Sequence, residues 1–129
     1  MKIKKPEIIK RIDFNFNWDN QKLWNLKEPV EEMEISKLEW CFDLPFWHTE
    51  NNTYNFKPIW VINDPEKYPE RYKRVMEAKL DWPIDIMFWR GRWLLLDGLH
   101  RLTKAKILGR KKVKVRKIPR ERIPEIKIK

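Results

Sequence analysis

The residues of this chain best suited to chemistry are Asp97-Gly98-Leu99-His100-Arg101. An apolar run, Trp93-Leu94-Leu95-Leu96, stops at Asp-Gly, and a helical pattern then opens with a histidine and an arginine in its first turn. A buried strand that hands over to a helix in this way directs the helix's free N–H groups and positive dipole end beyond the strand, and both attract anions. Arg101 can grip a phosphate through paired N–H groups. His100 can donate to a phosphate oxygen or shuttle a proton near neutral pH. Gly98 lets the backbone approach a ligand closely. Asp97 could cap the helix, hold a metal or accept a proton, and Thr103 and Lys104 lie within the next turn to assist. The plainer alternative is that Asp-Gly forms a turn and Asp97 is only an N-cap. The residues alone leave both readings open.

The elements that position this junction are partly legible. Residues 83–89 read as a strand, Arg90-Gly91-Arg92 makes a tight connection, and residues 93–96 form the partner strand. The partner is apolar throughout, which implies cover on both faces. Asp85 alternates with apolar residues, which places it on an open face. A helix over 98–108 buries Leu99, Leu102, Ala105 and Ile107 or Leu108, and Gly109 ends it in a left-handed conformation. Val113-Lys114-Val115-Arg116 alternates as a further strand. Upstream, residues 30–40 read as a short strand followed by a helical turn. An aromatic segment broken by Pro45, a turn at Asn51-Asn52-Thr53 and a short strand through Tyr54 and Phe56 come next. Asp64-Pro65-Glu66 carries a helix-start signature, with Pro69 restarting a helix whose apolar positions are Tyr72, Val75, Met76 and Leu80. The order of strand, helix, hairpin, helix, strand gives a small mixed α/β domain of the α+β class, a mixed sheet flanked by helices. The domain spans residues 30–118, between an N-terminal arm (1–29), where the alternation of Phe14, Phe16 and Trp18 allows a short strand or an arm laid across the domain, and an irregular basic tail (119–129).

With 129 residues the chain has room for one modest core. Eight tryptophans and six phenylalanines exclude a disordered chain. No apolar run is long enough for a transmembrane helix, and the first residues lack the apolar stretch of a signal peptide. The lone cysteine, Cys41, excludes an internal disulfide and suits a reducing cytosol, so a cytoplasmic location is expected. A net charge of +10 suits a polyanionic partner such as nucleic acid, although lysine-rich ends also serve solubility alone.

The segments Pro83-Ile84-Asp85-Ile86, Leu95-Leu96-Asp97-Gly98-Leu99-His100-Arg101, Ala105-Lys106-Ile107-Leu108-Gly109 and Val113-Lys114-Val115-Arg116 resemble the ParB/sulfiredoxin-like superfamily. The resemblance covers roughly residues 30–118. The Asp-Gly-x-His-Arg turn is similar to that of the free-serine kinases within this superfamily. That resemblance implies that Gly98, His100 and Arg101 hold nucleotide phosphates, with Asp97 near the reacting group. Leu99 stands where sulfiredoxins carry their catalytic cysteine, so sulfinate reduction is not expected. The chromosome-partitioning CTPases carry Gly-Glu-Arg-Arg at this turn, and their additional domains have no room here.

The expected phosphate-binding set is therefore Gly98, Leu99, His100, Arg101 and Thr103. The expected ligand is a nucleoside di- or triphosphate (ATP, ADP or CTP) with Mg²⁺, for phosphotransfer or hydrolysis. Such a reaction needs a further acidic group. In similar folds it follows the first strand, where Glu39 and Asp43 stand. Asp43, set among aromatic residues, is the stronger candidate if burial raises its pKa, and a solvated loop acid is the alternative. Asp97, His100 and Asp43 then form the catalytic set. His48 reads as a packing histidine. Two further functions fit the sequence. One is a DNA-binding module or nuclease, in which Arg90, Arg92 and the basic ends meet phosphates while tryptophans stack on bases. The other is a non-catalytic, partner-binding member of the fold. The same tryptophans equally suit core and rim packing.

Overall fold

The computed structural model describes residues 6–48 and 54–128. Two short helices, α1 (Glu7–Ile12) and α2 (Asn20–Trp24), precede strand β1 (Val30–Glu34). The 3₁₀ turns Ile35–Lys37 and Glu39–Asp43 lead to a small ribbon of β2 (Trp47–His48) and β3 (Tyr54–Phe56). Helices α3 (Pro58–Asn63) and α4 (Pro69–Met76) follow, and then the hairpin of β4 (Ile84–Trp89) and β5 (Arg92–Asp97). Helix α5 (Leu99–Ile107), strand β6 (Lys112–Lys117) and helix α6 (Ile123–Ile126) complete the order. The main sheet runs β1-β6-β4-β5, with β6 and β4 parallel at its centre and both edges antiparallel. This is a small mixed α/β protein with a four-stranded mixed sheet. No helix among the described residues is long and apolar enough to cross a membrane.

Local chemistry accounts for the elements nearest the junction. Arg90 and Gly91 both have positive φ (51° and 85°), so the hairpin turns through the two-residue geometry that matches the twist of its strands. Gly109, at φ 76°, ends α5. Its N–H donates to the Lys106 carbonyl and that of Arg110 to the Ala105 carbonyl, at 3.0 and 2.9 Å, so both last-turn carbonyls are satisfied. Pro69 opens α4, whose apolar side is anchored by buried Val75.

The sheet is covered on both faces because strand side chains alternate. On one face Ile84, Ile86, Val113 and Val115 pack against Leu102 and Ala105 of α5 and against Ile35, Leu38 and Phe42. On the other, Met87, Trp89, Leu94 and Leu96 pack against Phe14, Phe16 and Leu23 from the N-terminal arm and Ile118 and Ile126 from the C-terminal tail. A third cluster joins Trp47 and Phe56 to Val61 and Val75.

Several expectations need correction. The arm and the tail are built into the core. Of the two readings of Phe14, Phe16 and Trp18, the strand does not form and the arm lies across the sheet; Trp18 makes a single bridge to Lys127, and the two phenylalanines pack inward. The tail is not irregular, since it folds into a 3₁₀ turn, Arg120–Arg122, and α6, whose Ile126 is fully buried. Asp64 caps nothing with its side chain, and Pro65–Lys67 is one 3₁₀ turn, while helix α3 just upstream gave no sequence signal. Leu108 is exposed. Asp85 is 2% exposed, not open to solvent, because the arm closes over its face. The turn expected at Asn51-Asn52-Thr53 and the packing role expected of the His48 side chain lie outside the described residues.

Candidate functional site

Strand β5 ends at Asp97, and Gly98 is the N-cap of α5 at φ 117°. A Cβ there would stand 3.1 Å from both γ carbons of Ile84 and 3.2 Å from Nη2 of Arg101, so both conformation and space require glycine. Because Gly98 has no side chain to offer, the first-turn N–H groups of α5 receive no side-chain cap. Asp97 is therefore not the cap. Its Oδ2 accepts from Arg101 Nη2 at 2.9 Å and from Trp24 Nε1 at 2.8 Å. Arg101 also donates from Nη1 to the Pro83 carbonyl at 3.0 Å. The guanidinium is fixed, as the sequence suggested, but two of its N–H groups are engaged and its charge is offset by Asp97.

Asp97 faces a second carboxylate. In the hairpin register it pairs with Asp85. Each acid has its own arginine. Asp85 accepts from Arg116 Nε at 2.6 Å and Nη2 at 3.0 Å, both groups being buried. Burial still pushes the Asp85 carboxyl above its ordinary range; the Arg116 contacts oppose that shift, and the Asp97 charge adds to it. Arg116 reaches further, donating to the carbonyls of Leu26 at 2.6 Å and Leu23 at 3.0 Å. These bonds tie the end of α2 to the sheet, and α2 ends in Trp24. The arm thereby delivers an indole to Asp97, 73 residues away in sequence.

His100 stacks on Trp47, with ring centroids 4.7 Å apart and planes 29° apart. Burial lowers its pKa, and the guanidinium groups of Arg71 and Arg74 lower it further. Arg71 lies over the rings of Trp47 at 4.8 Å and Phe56 at 5.2 Å. His100 is thus held toward its neutral form by burial first and by a positive environment second, and the latter also favours an anion.

These residues line one wall of a cavity of about 590 Å³, a size typical of small-molecule sites. Asp97, Gly98, Leu99, His100 and Arg101 come together there, as the sequence indicated. Trp24, Phe46, Trp47, Lys79 and Trp82 also line it, with Glu77 as a second carboxylate. Trp47 and Trp82 are among the tryptophans whose stacking on a base the sequence left open; Trp24, Phe46, Lys79 and Glu77 carry no local signal, because they reach the cavity only through tertiary contacts.

Four expected residues lie elsewhere. Thr103 is fully buried; its hydroxyl donates to the Leu99 carbonyl at 2.8 Å, and it does not line the cavity. Asp43 is not buried among aromatics. Its side chain is 80% exposed beside Lys57 at 3.5 Å, because the 3₁₀ turn that buries Cys41 and Phe42 points Asp43 outward. Glu39 pairs with Lys106 at 2.7 Å and lines a separate cavity. Lys104 donates to the Ala78 carbonyl at 2.8 Å, tying α5 to the chain after α4. Among the described residues no group of three His, Cys, Asp or Glu side chains is placed to hold a metal ion. Compared with protein-family models, curated proteins and solved structures, the chain matches none.

Proposed function

We propose that this protein binds a nucleotide through its phosphates at the β5–α5 junction, within a fold of the ParB/sulfiredoxin-like kind. The observation that carries this reading is the junction wall of the 590 Å³ cavity, where an uncapped helix N-terminus stands beside the fixed guanidinium of Arg101. Uncapped N–H groups and a helix dipole at a concave surface suit a phosphate. Arg71 and Arg74 add positive potential on the His100 side. The phosphates take the N–H groups of the first turn of α5 and the free donors of Arg101. For phosphotransfer or hydrolysis, Asp97 is the carboxylate nearest those phosphates, and neutral His100 is the second group able to move a proton. Asp43 and Glu39 do not line this cavity. The donor set does not fit a protein-held Mg²⁺, so such an ion would be bound by the nucleotide phosphates themselves.

The test is a thermal-shift series with ATP, ADP and CTP, with and without Mg²⁺. At a hundred times Kd a ligand raises the melting temperature of a domain this size by about 8–14 °C. Arg101→Lys, which keeps the charge and loses the fork, is expected to weaken binding at least tenfold by calorimetry. Absence of any shift at millimolar nucleotide would sink the reading.

A second reading, binding of single-stranded nucleic acid, is favoured by the surface near the hairpin. Exposed Phe88 meets Trp93 edge-on at 5.3 Å, Arg92 lies 4.7 Å over Trp40 and Lys117 lies 5.3 Å over Trp93. Aromatic faces beside cations suit stacked bases. Gel-shift binding that falls steeply with salt supports it, and no binding at low salt rules it out.

A further inference from the structure

The cavity is walled by two tryptophans that the fold leaves in water. Trp24 is 52% exposed and Trp82 is 61% exposed, although both line the cavity. They are placed by one continuous chain of hydrogen bonds. Trp24 donates to Asp97 at 2.8 Å, Arg101 donates to the same carboxylate oxygen at 2.9 Å, and Arg101 holds at 3.0 Å the carbonyl of Pro83, the residue bonded to Trp82. The Asp97–Arg101 pair therefore lies between the attachments of the two indoles. Neither residue's exposure suits a purely structural role, since each leaves one of the largest apolar surfaces in the protein uncovered.

We propose that the two indoles recognise the base of the nucleotide by stacking, so that the ligand is read at both ends and purine nucleotides are held more tightly than pyrimidine ones. This rests on the phosphate-binding reading above. Polarity restricts the occupant: Arg101 is paired with Asp97, Glu77 also lines the cavity, and the anion-seeking groups left are the uncapped N–H groups of α5 and Lys79, whose ammonium lies 5.9 Å from the centre of the Trp82 ring. A ligand that fits must carry a flat aromatic system at one end and negative charge at the other. An apolar ligand without charge would leave the N–H groups at the start of α5 without an acceptor, and a bare polyphosphate would leave the indoles wet. The Trp24 ring is already oriented by its bond to Asp97, which lowers the entropy lost on binding. A purine offers a larger face than a pyrimidine and so covers more of the indole surface.

The experiment compares ATP, CTP and inorganic tripolyphosphate by titration calorimetry on the full chain and on Trp82→Ala and Trp24→Phe. Stacking on one aromatic ring is worth about 5- to 150-fold in Kd. ATP is expected to bind at least 5-fold more tightly than tripolyphosphate, and CTP to fall between them. Trp82→Ala, at an exposed position that folding does not need, is expected to erase most of the ATP advantage and leave tripolyphosphate unchanged. Trp24→Phe keeps a ring and loses the bond to Asp97, so ATP weakens by less. If tripolyphosphate binds as well as ATP and Trp82→Ala changes neither, base recognition is overturned while the phosphate site stands. If none of the three ligands binds at millimolar concentration, the phosphate reading fails and this inference falls with it.

Discussion

Arg116 offers the sharpest test of how the fold assembles the site. Arg116→Met keeps the aliphatic stem and removes the guanidinium. Asp85, 2% exposed, is then left without its counter-charge, and the Leu23 and Leu26 carbonyls lose their donor. Removing one member of a buried ion pair costs about 3–5 kcal/mol, because the other charge stays desolvated. A loss of about 4 kcal/mol is expected, which at a urea slope of about 1.5–2 kcal/mol/M lowers the unfolding midpoint by about 2–3 M.

The loss carries a pH signature. Burial already holds the Asp85 carboxyl above its ordinary range, and the Arg116 contacts pull it down. Without Arg116 the folded-state pKa rises further, while the unfolded value is unchanged. An acid whose folded pKa exceeds its unfolded one binds more protons when folded, so stability falls as pH rises from the unfolded pKa through the folded one. The gap between Arg116→Met and the parent is therefore widest at neutral pH and narrows on acidification. Asp85→Leu/Arg116→Met, which removes both charges, recovers most of the loss. Urea titrations followed by far-ultraviolet circular dichroism at several pH values measure all three. A loss under about 1 kcal/mol, or a gap that does not change with pH, would refute the idea that this pair is a buried clamp on the arm.

Other expectations follow from single residues. Gly98→Ala places a Cβ 3.1 Å from Ile84 at φ 117° and is expected to cost about 1–3 kcal/mol in urea unfolding, whereas Gly109→Ala meets nothing within 4 Å and pays only for its left-handed backbone, about 1–2 kcal/mol. His100 has a folded pKa held below its unfolded value, first by burial and then by Arg71 and Arg74, so its contribution is complete above the unfolded pKa and lost as pH falls toward the folded one. His100→Phe is expected to flatten the stability difference across that window, and an NMR titration of the ring should show protonation shifted to lower pH. The Cys41 thiol is pushed up to about 12 by burial, against a smaller opposing effect from Arg92. A thiol reagent at pH 8 should leave the native protein unlabelled and react fully once urea is added; rapid native labelling would contradict that burial.

The local half of this protein was written in short stretches of sequence. Arg90-Gly91 and Gly109 announced their turns because positive φ depends on the residue itself and its nearest neighbours. The strand-to-helix handover at Asp97-Gly98 was legible for the same reason, and the five junction residues do share one cavity wall. What surrounds that wall was decided by tertiary structure alone. Asp85 between Ile84 and Ile86 reads as a solvent-facing position, and only the packing of Phe14, Phe16 and Leu23 over that face makes it buried. Asp43 stands among aromatics in sequence yet faces water, because sequence adjacency does not fix the direction a turn points its side chains. Trp24 meets Asp97 because Arg116, on a third segment, holds the end of α2 against the sheet. Backbone conformation is set by neighbours along the chain; burial, charge pairing and the walls of a cavity are set by distant segments that share no pattern.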